Sequence, residues 1–272
     1  MCLILLAWEK HPRWRLVVAA NRDEFHARPT AAADWWPQAP GLLAGRDLQE
    51  GGTWLGVTRG GRFAAVTNVR EPQAYRVGAP SRGGLVTGFL ASPAPSLVWL
   101  ASLMPTALAF NGFNLLVFDG TTLAWLSNRS PGFRTLSAGV YGISNALLDT
   151  PWPKVTRGKD DLRAALELED DEALEGALFA SLARRDPAPE AELPSTGVGE
   201  ERERALSSAF IVTPEYGTRS STVLLVGRDG EVRLTERTTA LPSADGFTEV
   251  RHRFRVGDAT PAMSAKADRA PS

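Results

Sequence analysis

Apolar positions in this chain fall in short runs broken by turn residues. Two such runs open it, from Cys2 to Trp8 and from Trp14 to Ala20, joined by His11-Pro12-Arg13. Runs of this length, bounded by a turn, predict a hairpin of two buried strands. A second hairpin is predicted where Gly51-Gly52-Thr53-Trp54-Leu55-Gly56 leads into a strand and Gly60-Gly61 turns into residues 62–68. Residues 30–44, with Trp35, Trp36, Pro37 and Pro40, read as irregular.

Ser81-Arg82-Gly83-Gly84 before an apolar stretch predicts a helix start with Ser81 as N-cap. Residues 95–103 predict a second short helix. Residues 114–118 and 123–127 form a strand pair around Asp119-Gly120, and 141–145 is a further short strand. Leu162, Leu166, Leu174, Leu178 and Leu182 stand at helical spacing, which suits two amphipathic helices within 153–185. Residues 186–204, rich in Pro, Glu and Gly, read as a mobile surface loop, either a solvated insertion or a lid.

Strands return at 207–213, 221–226, 232–236 and 250–256, with Arg228-Asp229-Gly230 as a turn. Residues 258–272 are small and polar and read as a disordered tail. Hairpins on both sides of a helical middle predict an α+β fold, antiparallel sheets with helices packed outside, in one domain over 1–257. The regular alternation of a parallel βαβ sheet is missing.

Composition narrows the function classes. A chain of 272 residues with 43% hydrophobic content can bury a full core. A net charge of −1 offers no strong field for nucleic acid or a membrane surface. The single cysteine allows no intramolecular disulfide and fits a reducing compartment. No segment approaches the ~18 apolar residues of a membrane span. The first apolar run ends at Glu9-Lys10 without a basic flank before it, unlike a secretory signal. A cysteine at position 2 does not fit myristoylation. The expectation is a soluble, cytoplasmic protein acting on a small molecule, with its oligomeric state open.

Antiparallel pairing of the first two strands sets Cys2 beside Asn21-Arg22-Asp23-Glu24. Removal of Met1 would leave Cys2 with a thiol near pKa ~8.5 and an α-amine near ~8. That amine can take the thiol proton, as in N-terminal-nucleophile hydrolases. Asp23 could hold the amine and Arg22 could favour the thiolate. The alternative is a small buried apolar residue at the head of a strand.

Three more polar spots end apolar runs: Asn68 with Arg70, Ser144 with Asn145, and Thr218 with Arg219. An asparagine amide can donate to a developing oxyanion, so Asn68 and Asn145 are candidates. Arg22 or Arg219 could grip a carboxylate with two prongs. Each also has a plain reading as a turn asparagine or a surface charge.

His11, His26 and His252 are scattered, and no Cys/His spacing suits a metal. His11 and His252 read as solvated. No Cys-x-x-Cys-His occurs, which excludes covalent haem and leaves only non-covalent haem through His26 or a methionine. Gly51-Gly52 and Gly83-Gly84 match no nucleotide fingerprint. Core packing is the default role of the tryptophans, with Trp35, Trp36 and Trp54 expected near a cleft.

A set of motifs in one order completes the reading. It comprises Met1-Cys2, Ala20-Asn21-Arg22-Asp23-Glu24-Phe25 with Arg28-Pro29, the stretch Glu50 to Gly56, and Ala65-Val66-Thr67-Asn68. Asn111-Gly112-Phe113-Asn114-Leu115, Tyr141 through Trp152, Tyr216-Gly217-Thr218-Arg219 and Thr235-Glu236-Arg237 follow. In these the chain resembles the NRDE family, also named the transport and Golgi organisation protein family. The resemblance implies an αββα sandwich of N-terminal-nucleophile type with Cys2 heading a central strand, distantly similar to choloylglycine and penicillin V acylases. The residues that correspond to the acylases' site are Cys2, Arg22, Asp23, Asn68, Asn145 and Arg219; Cys2, Arg22, Asp23, Asn145 and Arg219 are expected to be catalytic, and Asn21, Asn68 and Trp54 to bind substrate. The reaction implied is hydrolysis of a linear amide or acyl compound, a C–N bond other than a peptide bond, with no required cofactor.

Unlike the acylases, Arg22 and Asp23 are adjacent here, so a regular strand would turn them to opposite faces. The family is also tied to haem trafficking, to coenzyme A and lipid metabolism, and to secretory organisation. The second expectation is therefore a non-catalytic carrier with haem or an acyl group in the same cleft. His26 stands where the family often carries an aromatic residue, which argues against it as a haem ligand.

Overall fold

The computed structural model describes residues 2–241 and 244–258. Met1, whose removal the sequence suggests, and the tail beyond Asp258 lie outside the described residues.

The chain begins with β1 (Cys2–Trp8) and β2 (Trp14–Phe25), then β3 (Thr30–Trp35), β4 (Leu42–Asp47), β5 (Leu55–Thr58) and β6 (Phe63–Asn68). Helices α1 (Gly83–Ala91) and α2 (Ser96–Leu103) follow, then β7 (Phe113–Phe118), β8 (Leu123–Ser127), β9 (Phe133–Thr135) and β10 (Gly139–Ile143). Helices α3 (Pro153–Ala165), α4 (Asp171–Leu182) and α5 (Glu200–Ala205) precede β11 (Tyr216–Gly227), β12 (Glu231–Thr239) and β13 (Phe247–Arg255).

Two antiparallel sheets result, one ordered β10-β1-β2-β11-β12-β13 and the other β3-β4-β5-β6-β7-β8-β9. Three apolar clusters define four layers. Between the sheets, Ile4, Leu6, Trp8, Leu16 and Val18 meet Leu43, Phe63, Leu116, Phe118 and Trp125. The other face of the first sheet, through Leu3, Leu5 and Val17, packs on Leu162, Leu174 and Leu178 of α3 and α4. The outer face of the second sheet, through Ala64, Leu115 and Val117, packs on Val86, Phe89 and Leu100 of α1 and α2. Period-2 alternation in the strands makes each sheet two-faced, so helices must cover the outside. The architecture is the αββα sandwich, and β1, paired on both sides, is an interior strand.

Local chemistry sets the helix ends. Pro153 opens α3, where its missing N–H costs nothing. Asp170 caps α4 by accepting from the Ala173 N–H at 2.8 Å. Gly158 brings α3 close to β1, since a Cβ there would lie 2.7 Å from Leu5.

Several expectations need correction. Residues 30–44 are not irregular: β3 and the start of β4 lie there. β3 is an edge strand with a register shift between Ala31 and Asp34, and the shift hides the alternation. Residues 207–213 form no strand, only an isolated bridge from Val212 to Gly217, while β11 starts earlier than expected, at Tyr216. Ser81 is not the N-cap of α1; Arg82 takes that place. Within 186–204 stand a helical turn at Glu190–Glu192 and the first turns of α5. His11 is buried and its Nδ1 accepts from the N–H groups of Arg13 and Trp14, closing the first hairpin. His252 is half-buried, its Nε2 3.0 Å from the Ala33 carbonyl oxygen.

The two glycine pairs have a packing role. A Cβ on Gly52 would stand 2.7 Å from the Gly83 backbone, so the loop before β5 touches the start of α1 backbone to backbone. Gly84 next to it faces open space. Gly52→Ala should therefore cost about 1–3 kcal/mol through overpacking. Gly84→Ala should be neutral or gain up to ~1 kcal/mol from helix propensity. Urea denaturation of both variants checks this, and equal midpoints would remove the close-approach argument.

Candidate active site

The register of β1 on β2 places Cys2 directly opposite Arg22. Cys2 and Arg22 continue the rows Ile4–Leu6 and Val18–Ala20, so both face the space between the sheets. There the apolar rows end and a cleft of about 260 Å³ opens. Cys2, Arg22, Asp23, Trp54, Asn68, Tyr75 and Arg82 all line it.

Cys2 as a whole keeps intermediate exposure. Protein nonetheless crowds its sulfur, and this burial raises the thiol above its ordinary value. The Asp23 charge adds to that rise, while Arg22 and the Asp23 backbone N–H favour the thiolate. The Cys2 carbonyl accepts from Ser144 Oγ at 3.0 Å, which fixes the strand end.

Asp23 stands on the opposite face of β2, in the row of Val17, Ala19 and Asn21, as the adjacency to Arg22 requires. It still reaches the cleft wall. Opposite it, β11 carries a bulge: Thr218 pairs with Asp23 and Ser220 with Arg22, leaving Arg219 as the extra residue. Thr218 Oγ1 donates to Asp23 Oδ1 at 2.7 Å, and Tyr216 Oη donates to the Asp23 carbonyl at 2.9 Å. Burial raises the Asp23 carboxyl, and Lys154 is the strongest influence opposing that rise.

Arg22 is buried, stacks 4.3 Å over the Trp54 ring and donates to Thr30 Oγ1 at 3.1 Å. Gly45 makes room for that ring, since a Cβ there would collide with Trp54. Asn68 ends β6 on the cleft, and its side chain makes no hydrogen bond among the described residues. Its amide is free to donate to a ligand.

The structure gives other expected site residues different work. Asn145 is fully buried, and its Nδ2 donates to the Asn68 backbone carbonyl at 3.0 Å. It positions Asn68 and does not line the cleft. Asn21 does not reach the cleft either: its Nδ2 donates to the carbonyls of Leu182 and Ala209, and its Oδ1 accepts from Ser221. It holds α4 to β2 because its place in the alternation turns it to the helix layer. Arg219 donates through Nη1 to the carbonyls of Phe25, His26 and Arg28, pinning the turn after β2, and is absent from the cleft lining. Trp35 packs on Phe254 between the sheets, and Trp36 donates to the Ala44 carbonyl, so neither lines the cleft.

Sequence reasoning missed Lys154, Tyr75 and Arg82. Lys154 is buried on α3, with Nζ donating to the Leu206 carbonyl at 2.9 Å. Its rarity was a signal, as one of four lysines in a chain with 30 basic residues. Arg70, noted beside Asn68, makes a buried ion pair with Glu203 of α5 at 2.6 Å. Breaking such a pair by removing one partner costs about 3–5 kcal/mol. Among the described residues, no three His, Cys, Asp or Glu side chains converge as a metal site. No helix among them is long and apolar enough to cross a membrane.

Fold and site together define an αββα sandwich whose interior strand begins with a cysteine facing a charged cleft. Residues 1–240 match the family described as Transport and Golgi organisation 2 (TANGO2), and the chain belongs to that family. It is 38% identical to the Bos taurus Transport and Golgi organization protein 2 homolog, over 94% of this chain and 99% of that protein. It is 39% identical to the Homo sapiens homolog over 88% and 93%, and 29% identical to the Drosophila melanogaster protein over 88% and 92%.

Among solved structures, the chain is similar to a Caenorhabditis elegans N-acylethanolamine-hydrolyzing acid amidase ortholog. The TM-score is 0.41 at 10% identity, over 82% of this chain and 92% of that one. A C2A mutant of conjugated bile acid hydrolase from Clostridium perfringens aligns with TM-score 0.45 at 8% identity, over 94% and 97%.

Burial lowers Lys154 to about 8, partly offset by the Asp23 charge. Its folded value thus lies below the ~10.4 of an unfolded lysine. Below pH 8 both states carry the charge and burial penalises the fold. Between about 8 and 10.4 the native lysine loses its proton first, the unfolded chain binds more protons, and stability rises with pH. The stability of the wild type relative to Lys154→Met should therefore climb between pH 7 and 10 in denaturation experiments. A difference that stays flat over that range would contradict the assignment.

Proposed function

We propose that this protein is an N-terminal-cysteine hydrolase acting on a linear amide or a related acyl bond. The observation that carries the reading is the register that sets Cys2 opposite Arg22 at the cleft, with Asp23 next in line. A thiol raised by burial rests protonated, so attack requires a base close by. In a chain processed to begin at Cys2, its own α-amine supplies that base, and Asp23 orients the amine.

The thiolate sulfur adds to the substrate carbonyl and the oxygen takes the negative charge. The Asn68 amide donates to that oxyanion, held by Asn145 from behind. Collapse breaks the C–N bond, and the leaving amine takes the proton from the α-ammonium. Water then attacks the thioester, giving up a proton to the α-amine, and the acid and the free thiol are released.

A haem or acyl carrier draws less support from the cleft. Its walls are charged, with Arg22, Arg28, Arg82, Glu24 and Asp47, and among the described residues neither His26 nor a methionine lines it. An apolar cargo prefers apolar walls.

Intact-mass measurement should find the chain lacking Met1. Turnover of an N-acyl amide panel should vanish in Cys2→Ala and fall about 10²–10³-fold in kcat for Asn68→Ala. A retained Met1, or turnover that survives Cys2→Ala, would end the proposal.

A further inference from the structure

The cleft carries three guanidinium groups, and two of them face carboxylates. Arg28 lies 2.8 Å from Asp47 and 3.7 Å from Glu24. Arg22 lies 3.8 Å from Glu24 and 3.9 Å from Asp47. Arg82, just before α1, makes no ion pair among the described residues. Its Nη1 donates to the Gly112 carbonyl at 3.2 Å, and its Nε and Nη2 make no hydrogen bond among them.

The surroundings of Arg82 make this costly. Burial works against its charge, and it lies close enough to Cys2 for charge on the sulfur to favour the guanidinium. Glu50, a further carboxylate on the cleft, is exposed. Asp23 faces Lys154 and Arg70. Glu24 favours the Arg82 charge only from a distance, since its carboxylate pairs with Arg22 and Arg28; a partly buried cation with no direct ion pair is an incomplete arrangement that an anion completes. Two features hold Arg82 in place. The Gly52–Gly83 backbone contact fixes the loop beneath it. Asn111, next to the Gly112 that accepts from Arg82, clamps the segment bearing Tyr75, accepting from the Arg76 N–H at 2.8 Å and donating to its carbonyl at 2.9 Å.

We propose that Arg82 is the specificity-determining residue of this cleft and holds an oxyanionic group, carboxylate or phosphate, on the molecule that Cys2 attacks. The inference rests on Cys2 being the nucleophile. Substrates are then acidic amides or acyl compounds, with the anion a few bonds from the scissile carbonyl. Neutral acyl amides of the same size would be poor substrates, because they leave the guanidinium without a direct ion pair.

Paired alkylating probes test this without knowledge of the substrate. Iodoacetate and iodoacetamide react alike with a thiolate: an S–C bond forms, the C–I bond breaks, iodide leaves and the thiol proton goes to solvent. They differ in charge. Because the chain has one cysteine, mass spectrometry reads the site directly. The ratio of iodoacetate to iodoacetamide rates should be about tenfold or more above that of the urea-unfolded chain, the size of one charge-assisted hydrogen bond. Arg82→Gln should bring the ratio down to the unfolded value, and Arg82→Lys should keep part of it. Protection of Cys2 by acetate at lower concentration than by inorganic phosphate assigns the carboxylate; the reverse order assigns the phosphate.

If Arg82→Gln does not fold, the wild-type ratio and the two competitors decide alone. A reactive Cys2 with the unfolded ratio and no protection by either anion overturns this inference and leaves the nucleophile standing. A native Cys2 inert to both reagents overturns the nucleophile, and this inference with it.

Discussion

One chain of hydrogen bonds ties the two sheets together at the cleft. Ser144 donates to the Cys2 carbonyl, lies 3.3 Å from Asn145 Oδ1, and Asn145 in turn donates to the Asn68 carbonyl of the other sheet. The Arg70 N–H then donates to the Asn145 carbonyl at 2.7 Å. Ser144 and Asn145 are buried, so losing one contact would strand polar groups away from water. This cross-link sets the position of the sulfur relative to the Asn68 amide, which is the geometry the proposed chemistry needs.

Charge is arranged in two zones around that link. On the helix side of β2, Asp23 sits with Lys154 and Arg70, and Arg70 is anchored by Glu203. On the inter-sheet side, Arg22 faces Glu24 and Asp47 and leans on Trp54. The alternation of β2 separates these zones because Arg22 and Asp23 are neighbours in sequence. Adjacency thus lets one strand serve both sides of Cys2. Further along the inter-sheet face, Glu236 accepts from the Ala33 N–H at 2.7 Å and bridges β12 to β3.

Much of the fold was legible because turn chemistry and period-2 patterning agree. Asp119-Gly120, Gly60-Gly61 and Asp229-Gly230 all turn where glycine requires it, with Gly61, Gly120 and Gly230 at positive φ. The leucines at 162, 166, 174, 178 and 182 are buried as their spacing predicts. β3 was hidden because an edge strand with a bulge has only Ala33 to bury, and residues 207–213 misled because an apolar run can fill a loop, here one held to β2 by Asn21. At the site, strand pairing gave Cys2 beside Arg22. It could not separate Asn68 from Asn145 and Asn21, since all three end apolar runs and differ only in what stands opposite. Lys154 comes from a different layer altogether, and no spacing along one strand reports a contact across layers.

The place of the cleft follows from where the pattern breaks. Between the sheets the rows Trp8, Leu6, Ile4 and Leu16, Val18, Ala20 pack against Phe63, Phe118 and Trp125, and Trp8 meets Phe118 edge to face at 5.2 Å. The next positions in those rows are Cys2 and Arg22, and a guanidinium cannot fill a dry interface without a large desolvation cost. The sheets must part there and admit water or a ligand. A terminal strand whose first residue is its only polar inward position therefore does two things at once. It ends the core and brings the one thiol in the chain to the cleft wall, and the same replacement of apolar by polar that weakens packing creates the space in which chemistry can occur.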